Sequence, residues 1–318
     1  MTSDTILLAD AGGTFTRLAL TGADGAILQS EVMESGKFAT FEDAARDFLK
    51  AHKATPTRAA IAAAGPVESG VVQLTNGPQW RIEKAALASA LGLTRVLLVN
   101  DFAAVAAAAP RLPSDQLVTI NAGAADDGTI AVVGPGTGLG VALVTRVGGS
   151  YRVLAGEGGH AGLSPVTDRE IAVLHQLIRR FGHVKAEHVL SGLGLEILWE
   201  TLAALDGADA SQRPIAGEIA ERARRKSCAL SSEAIAIMTG WLGGFAGDVA
   251  LIAGASGGVY LAGGVLPRWG DLLDTRLFMR RFTAKGAHKA LMERIPVHLI
   301  IDNQTAFKGL LALLAEAE

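Results

Sequence analysis

An apolar strand, a glycine turn and a second apolar strand occur twice in this chain. Residues 6–20 read ILLADAGGTFTRLAL, and residues 129–146 read TIAVVGPGTGLGVALVTR. With Ile6 set on Ile130, Gly12 falls on Gly136 and Leu20 on Val144. Each copy alternates or runs apolar at strand length, and each breaks at paired or spaced glycines, where the chain can reverse. The repeat is weak and can be a chance similarity of two hairpins, but it falls where two similar units would each begin. The length of 318 residues suits two cores of ordinary size.

Between and after the hairpins, strand and helix patterns alternate. Residues 38–53 have Phe41, Ala45, Phe48 and Leu49 on one helical face. Residues 58–67 form a strand ending in Gly65-Pro66, and Thr75-Asn76 make a turn ahead of Trp80. A helix over 83–91 leads into the strand Val96–Val99, followed by alanine-rich helical sequence from Asp101. In the second unit, residues 168–181 carry Ile171, Leu174, Leu177 and Ile178 on one face. Tracts 215–226 and 231–255 are helical, the second apolar nearly all round and hence interior. Residues 258–269 repeat the strand-then-glycine pattern, 295–303 form a last strand, and 305–317 a last helix with Leu310, Leu311 and Leu314 together. Such alternation predicts an α/β fold with a largely parallel interior. The last helix is expected to return to the first domain, giving domains of 1–110 plus 302–318 and of 111–301.

Several classes are excluded by bulk properties. A net charge of −3 gives no basic surface for nucleic acid. No stretch of about 20 apolar residues occurs, so no membrane partner is expected. The N-terminus enters a strand at Ile6 without the basic and cleavage segments of a signal peptide. Cys228 is the only cysteine, which leaves no internal disulfide and fits a cytoplasmic protein.

Candidate chemistry gathers at turns. Asp101, beside Asn100, stands where a strand stops and a helix starts. In open α/β sheets ligands collect at the carboxyl ends of strands. A carboxylate there can accept a proton from a bound hydroxyl, or it can simply cap the helix. The hairpin of Asp10, Gly12, Gly13 and Thr14 can offer N–H groups and a hydroxyl to phosphate oxygens, with Asp10 orienting Mg²⁺ through water. It can also be an ordinary tight hairpin. It is neither a P-loop nor a dinucleotide fingerprint, because no Gly-Lys-Ser/Thr follows and no helix opens. Two such hairpins facing each other could grip a polyphosphate. Glu157 and His160 are spaced as a helical metal pair, but Gly158 and Gly159 argue for a loop, where they can hydrogen-bond a polar ligand. Glu187 precedes the turn Ser191-Gly192 and reads as a solvated charge at a helix entrance. Gly263-Gly264 leave room for a flat group against backbone.

Taken in order, the motifs are Asp10-x-Gly12-Gly13-Thr14 with Arg17, Gly65-Pro66, Leu74-Thr75-Asn76 with Trp80, Asn100-Asp101-Phe102, Gly134-x-Gly136-Thr137-Gly138-Leu139-Gly140, Glu157-Gly-Gly-His160, Glu187 with Ser191-Gly192, and Ala262-Gly263-Gly264. From about residue 6 to the C-terminus this order closely resembles the bacterial glucokinase family, hexokinase-like enzymes of the actin-like ATPase superfamily. The resemblance implies a two-domain actin-like (ribonuclease H-like) fold with an interdomain cleft. It implies ATP and Mg²⁺, and transfer of a phosphoryl group to the 6-hydroxyl of glucose. The sugar set would be Asn100, Asp101, Glu157, His160 and Glu187, with Asp101 as base. The nucleotide set would be Asp10, Gly12, Gly13, Thr14, Gly136, Thr137, Gly138, Gly263 and Gly264. A homodimer is the family expectation. A kinase for glucosamine, mannose or N-acetylglucosamine, or a non-catalytic sugar sensor of the same fold, stays open. The chain departs from the family at Phe15, where Asn is common, at a short 203–215 segment, and at Phe307-Lys308.

Overall fold

The structure, a computed structural model, describes residues 5–22, 24–75, 77–211 and 213–316; Asn76 and Ala317 lie outside the described residues. The chain divides into two compact units, Met1–Arg111 with Asn303–Glu318 and Leu112–Asp302.

In the first unit, strands β1 (Ile6–Ala11), β2 (Phe15–Thr21) and β3 (Ile27–Glu34) precede helix α1 (Phe41–Ala51). β4 (Arg58–Ala63) is followed by β5 (Val67–Glu68), β6 (Val71–Gln73) and β7 (Arg81–Glu83), then by α2 (Lys84–Leu91), β8 (Arg95–Asn100) and α3 (Asp101–Ala108). The main sheet runs β3-β2-β1-β4-β8, and β5-β6-β7 form a small sheet of their own. β1 is antiparallel to β2 and parallel to β4, and β4 is parallel to β8. β1 and β4 are buried on both faces, which is why they read as continuous apolar runs rather than alternations. One face of the sheet packs Leu7, Ala9, Leu18 and Ile61 against Phe41 and Phe48 of α1. The other packs Leu8, Ala60 and Ala62 against Ala104 of α3 and against Phe307, Leu310 and Leu314 of the C-terminal helix, Thr305–Glu316. Phe307, a departure from the family pattern, is thereby a core residue. Gly309 lets that helix press on α3: a Cβ there would stand within bonding distance of the Ala104 carbonyl oxygen.

In the second unit, β9 (Leu117–Asn121), β10 (Ile130–Pro135), β11 (Leu139–Val147) and β12 (Ser150–Gly156) precede α4 (Asp168–Phe181), α5 (Gly192–Leu205), α6 (Ala216–Arg224) and α7 (Ala229–Ala253). β13 (Gly258–Leu261), α8 (Leu266–Trp269), α9 (Thr275–Thr283), α10 (Lys289–Arg294) and β14 (Val297–Ile300) complete it. The sheet order is β12-β11-β10-β13-β14-β9. Its first five strands repeat the first unit's pattern: β10 is antiparallel to β11 and parallel to β13, as β1 is to β2 and β4. The sequence repeat therefore marks a repeated sheet topology. One expectation needs correcting: α7 is long and apolar enough to cross a membrane. Its apolar surface instead lies in the second unit's core, where Ala234, Met238, Trp241, Leu242 and Ala246 are buried. It is apolar all round because it is surrounded by protein.

Candidate active site

In the first unit, the turn between β1 and β2 is closed by Gly12 N–H donating to the Phe15 carbonyl at 3.2 Å. A Cβ on Gly12 would stand 2.7 Å from that oxygen, so the tight return requires glycine. Ser35, absent from the sequence reading, braces the hairpin. Its hydroxyl donates to Gly12 O at 2.8 Å and lies 3.0 Å from Thr16 Oγ1, and its N–H donates to Thr14 O. Gly77 also lies against the turn, at φ +84°, so close to the Gly13 carbonyl that no Cβ fits. Asp10 and Arg17 are cross-strand partners, and their side chains form an ion pair at 2.8 Å. Burial raises the Asp10 pKa above the ordinary carboxylate range, and Arg17 counters it by charge and hydrogen bond. Arg17 also donates to Asn303 O at 2.8 Å, fastening the hairpin to the returning C-terminal segment.

At the end of β8 the capping role falls to Asn100 rather than Asp101. Asn100 Oδ1 accepts from the N–H groups of Phe102 (3.0 Å) and Ala103 (3.1 Å), the geometry of an N-cap. Its Nδ2 donates to Gly65 O at 3.1 Å. Gly65 leaves no room for a side chain, since Gln73 O lies 2.7 Å from where a Cβ would be. Asp101 is the first helical residue, and its Oδ1 accepts from Phe102 N–H at 2.8 Å. A carboxylate at this position is stabilised by the helix N-terminus.

In the second unit three elements meet. The Gly136–Gly138 turn closes with Gly136 N–H donating to Gly138 O at 2.8 Å. Gly136 O in turn accepts from Gly192 N–H at the start of α5, at 2.9 Å. Gly263, at φ +84°, packs on the Pro135 carbonyl, so the Gly263-Gly264 turn adjoins the second hairpin. A short turn, Gly158–His160, follows β12. Its glycines are needed for packing: Gly159 lies against the Leu139 carbonyl and Gly158 against Val141. His160 Nδ1 stands 3.6 Å from Glu157 Oε2. No group of three or more metal-ligating side chains occurs among the described residues.

Glu187 is far from a solvated charge. Its Oε2 accepts the Leu139 N–H at 2.9 Å, and its Oε1 accepts Lys185 Nζ at 2.8 Å. Burial raises its pKa. The hydrogen bonds from Lys185 and Leu139, with the positive charge of Lys185, outweigh burial and hold the carboxyl below its ordinary value. Gly138 faces this carboxylate so closely that a Cβ there would collide with Oε2. Ser191 fixes the approach: its Oγ donates to Glu187 O and accepts from Gly194 N–H, both at 2.9 Å. Glu157, His160 and Glu187 are thus brought together within the second unit, through Lys185. Asn100 and Asp101 adjoin each other in the first.

A family model described as Glucokinase matches residues 7–317. The chain belongs to the glucokinase family. This glucokinase-family chain is 41% identical over 312 residues to the glucokinase of Chromobacterium violaceum, spanning 98% of this chain and 89% of that one. It is also similar to the crystal structure of glucokinase from an Antarctic psychrotroph, with a TM-score of 0.85, 37% identity and coverage of 99% of this chain and 100% of that one. A ROK family glucokinase from Streptomyces griseus, solved in complex with glucose and AMPPNP, shares the fold at a TM-score of 0.67 and 19% identity, over 99% and 100% of the two chains. The fold of this glucokinase-family chain is the two-domain actin-like ATPase fold.

Proposed function

We propose that this chain is a glucokinase that moves the γ-phosphoryl group of MgATP to the 6-hydroxyl of glucose, releasing ADP. The observation that carries the reading is Asp101. It stands at the carboxyl end of β8 in a glucokinase-family chain matched almost end to end, and the neighbouring Asn100 does the capping. Asp101 takes the proton from the 6-hydroxyl as that oxygen bonds to phosphorus and the bond from phosphorus to the β-phosphate oxygen breaks. A positioned base of this kind contributes about 10²- to 10⁴-fold in rate. Asn100, Glu157, His160 and Glu187 bind the other sugar hydroxyls. The ionised Glu187 serves as an acceptor, and Asn100 Nδ2 carries a second N–H that can donate.

Phosphoryl transfer asks mainly for positioning and charge neutralisation. Gly12, Gly13, Thr14, Gly136, Thr137 and Gly138 offer backbone N–H groups and two hydroxyls to the phosphates. Gly263 and Gly264 leave the backbone open to the flat base. Mg²⁺ bound with ATP would neutralise phosphate charge, and Asp10, held at the first hairpin by its ion pair with Arg17, is the residue that would face it through water. The chain acts in the cytoplasm and as a homodimer, both resting on the family resemblance.

Release of ADP, followed over a panel of glucose, mannose, glucosamine, N-acetylglucosamine and 6-deoxyglucose, tests the reading. Turnover is expected with glucose and none with 6-deoxyglucose. Equal ADP release with and without glucose refutes it.

A further inference from the structure

We propose that Lys185 is a positioning residue for sugar recognition, which holds Glu187 as an acceptor and sets the His160 imidazole in one tautomer. The inference deepens the glucokinase reading and rests on it. Lys185 lies on the strand-like bridge that joins the two loops of the cluster. Gly162 and Lys185 pair in antiparallel fashion, and Ala186 N–H donates to Ala161 O at 2.7 Å. From there its ammonium reaches Glu187 Oε1 at 2.8 Å and His160 Nε2 at 3.0 Å.

An ammonium group has three protons and no lone pair. Toward His160 it can only donate, so Nε2 must accept and the imidazole proton must sit on Nδ1. That nitrogen faces Glu157 Oε2, 3.6 Å away. Hydrogen bonds therefore link His160, Lys185, Glu187 and the N–H of Leu139 on the second hairpin in series, with Glu157 facing Nδ1–H of His160 beyond hydrogen-bond distance. Each group in that series of four has its donor or acceptor role assigned before a sugar binds. Such preorganisation raises affinity by removing the cost of ordering the site on binding. Lys185 is only about a quarter exposed, so the pair with Glu187 is not an ordinary surface ion pair.

The test compares Lys185→Met, which keeps the stem and removes the charge, with Lys185→Arg, which keeps the charge. Both are read by steady-state kinetics and by ¹⁵N resonances of histidine-labelled protein, with His160 assigned by its loss in His160→Gln. In the unsubstituted protein the His160 resonances are expected to report Nδ1–H, and in Lys185→Met a mixture of tautomers. Glucose KM is expected to rise about tenfold in Lys185→Met, the scale of one charge-assisted hydrogen bond, with kcat at saturation and the ATP KM little changed. Lys185→Arg is expected to recover most of the glucose affinity. An Nε2–H tautomer in the unsubstituted protein overturns the proposal, as does an unchanged glucose KM in Lys185→Met. Absence of any glucose turnover in the unsubstituted protein refutes the functional reading alone, and the tautomer result then decides the role of Lys185.

Discussion

Asp101→Asn separates chemistry from folding at the site. The substitution keeps an oxygen that can accept the Phe102 N–H, a bond of 2.8 Å in the present structure. It leaves the two capping bonds of Asn100 untouched. The structural loss is then one negative charge in the first turn of α3, about 0.3–1 kcal/mol. For a domain of this size that lowers Tm by roughly 1–4 °C. The chemical loss is much larger. A base worth about 10²- to 10⁴-fold corresponds to roughly 2.7–5.4 kcal/mol of barrier at about 1.36 kcal/mol per factor of ten. Asp101→Asn is therefore expected to bind glucose within about threefold of the unsubstituted protein while kcat falls at least about 100-fold. Calorimetric titration with glucose and an assay coupled to ADP release measure the two quantities separately. A kcat within about tenfold of the unsubstituted value refutes Asp101 as the base.

The neighbouring residue should behave in the opposite way. Asn100→Ala removes two capping bonds and the bond to Gly65 O, and is expected to cost about 1–2 kcal/mol in urea unfolding, more than Asp101→Asn. Gly309→Ala drives a methyl group into the Ala104 carbonyl of α3. It should destabilise the first unit by about 1–3 kcal/mol or more, and lower activity by shifting the helix that begins at Asp101; a Tm equal to the parent's would contradict the close approach. Glu187 has a depressed pKa in the folded protein, so the stability it contributes is present above its unfolded pKa of about 4.3 and lost as pH falls through the lower folded value. Urea midpoints of the parent and Glu187→Gln should therefore differ at neutral pH and converge as pH drops below about 4.5; a gap that stays constant to pH 3 would contradict the ionised, hydrogen-bonded carboxylate.

The face of α1 and the two hairpins were legible from spacing and from glycines whose neighbours are a few residues away. On α4 the spacing chose the wrong face: of Ile171, Leu174, Leu177 and Ile178 only Leu177 is fully buried, while Ile171 and Ile178 are exposed and Glu170 and Val173 are buried instead, because the buried Glu170 is ion-paired with Arg281 of α9. Three strands left no clear pattern. β3, β9 and β12 lie toward the edges of their sheets and mix polar with apolar residues, because much of each strand faces water. α5 was obscured for the opposite reason: LGLEILWETLAAL packs into the core on most sides, so no face stands out.

The site divides along the same line. Chain-local chemistry determined that a carboxylate follows Asn100 at a strand-to-helix junction, and that glycines interrupt two hairpins and the turn after Glu157. The pairing of Glu187 with Leu139, 48 residues earlier in the chain, was decided only by folding, as was the contact of Lys185 with His160, 25 residues away. So was the division of labour by which Asn100 caps α3. A hydrogen bond within a turn depends on dihedral angles of adjacent residues, which their side chains restrict directly. A bond between distant loops depends on where β11 and the Gly162–Lys185 bridge bring them, and no spacing in the chain encodes that distance.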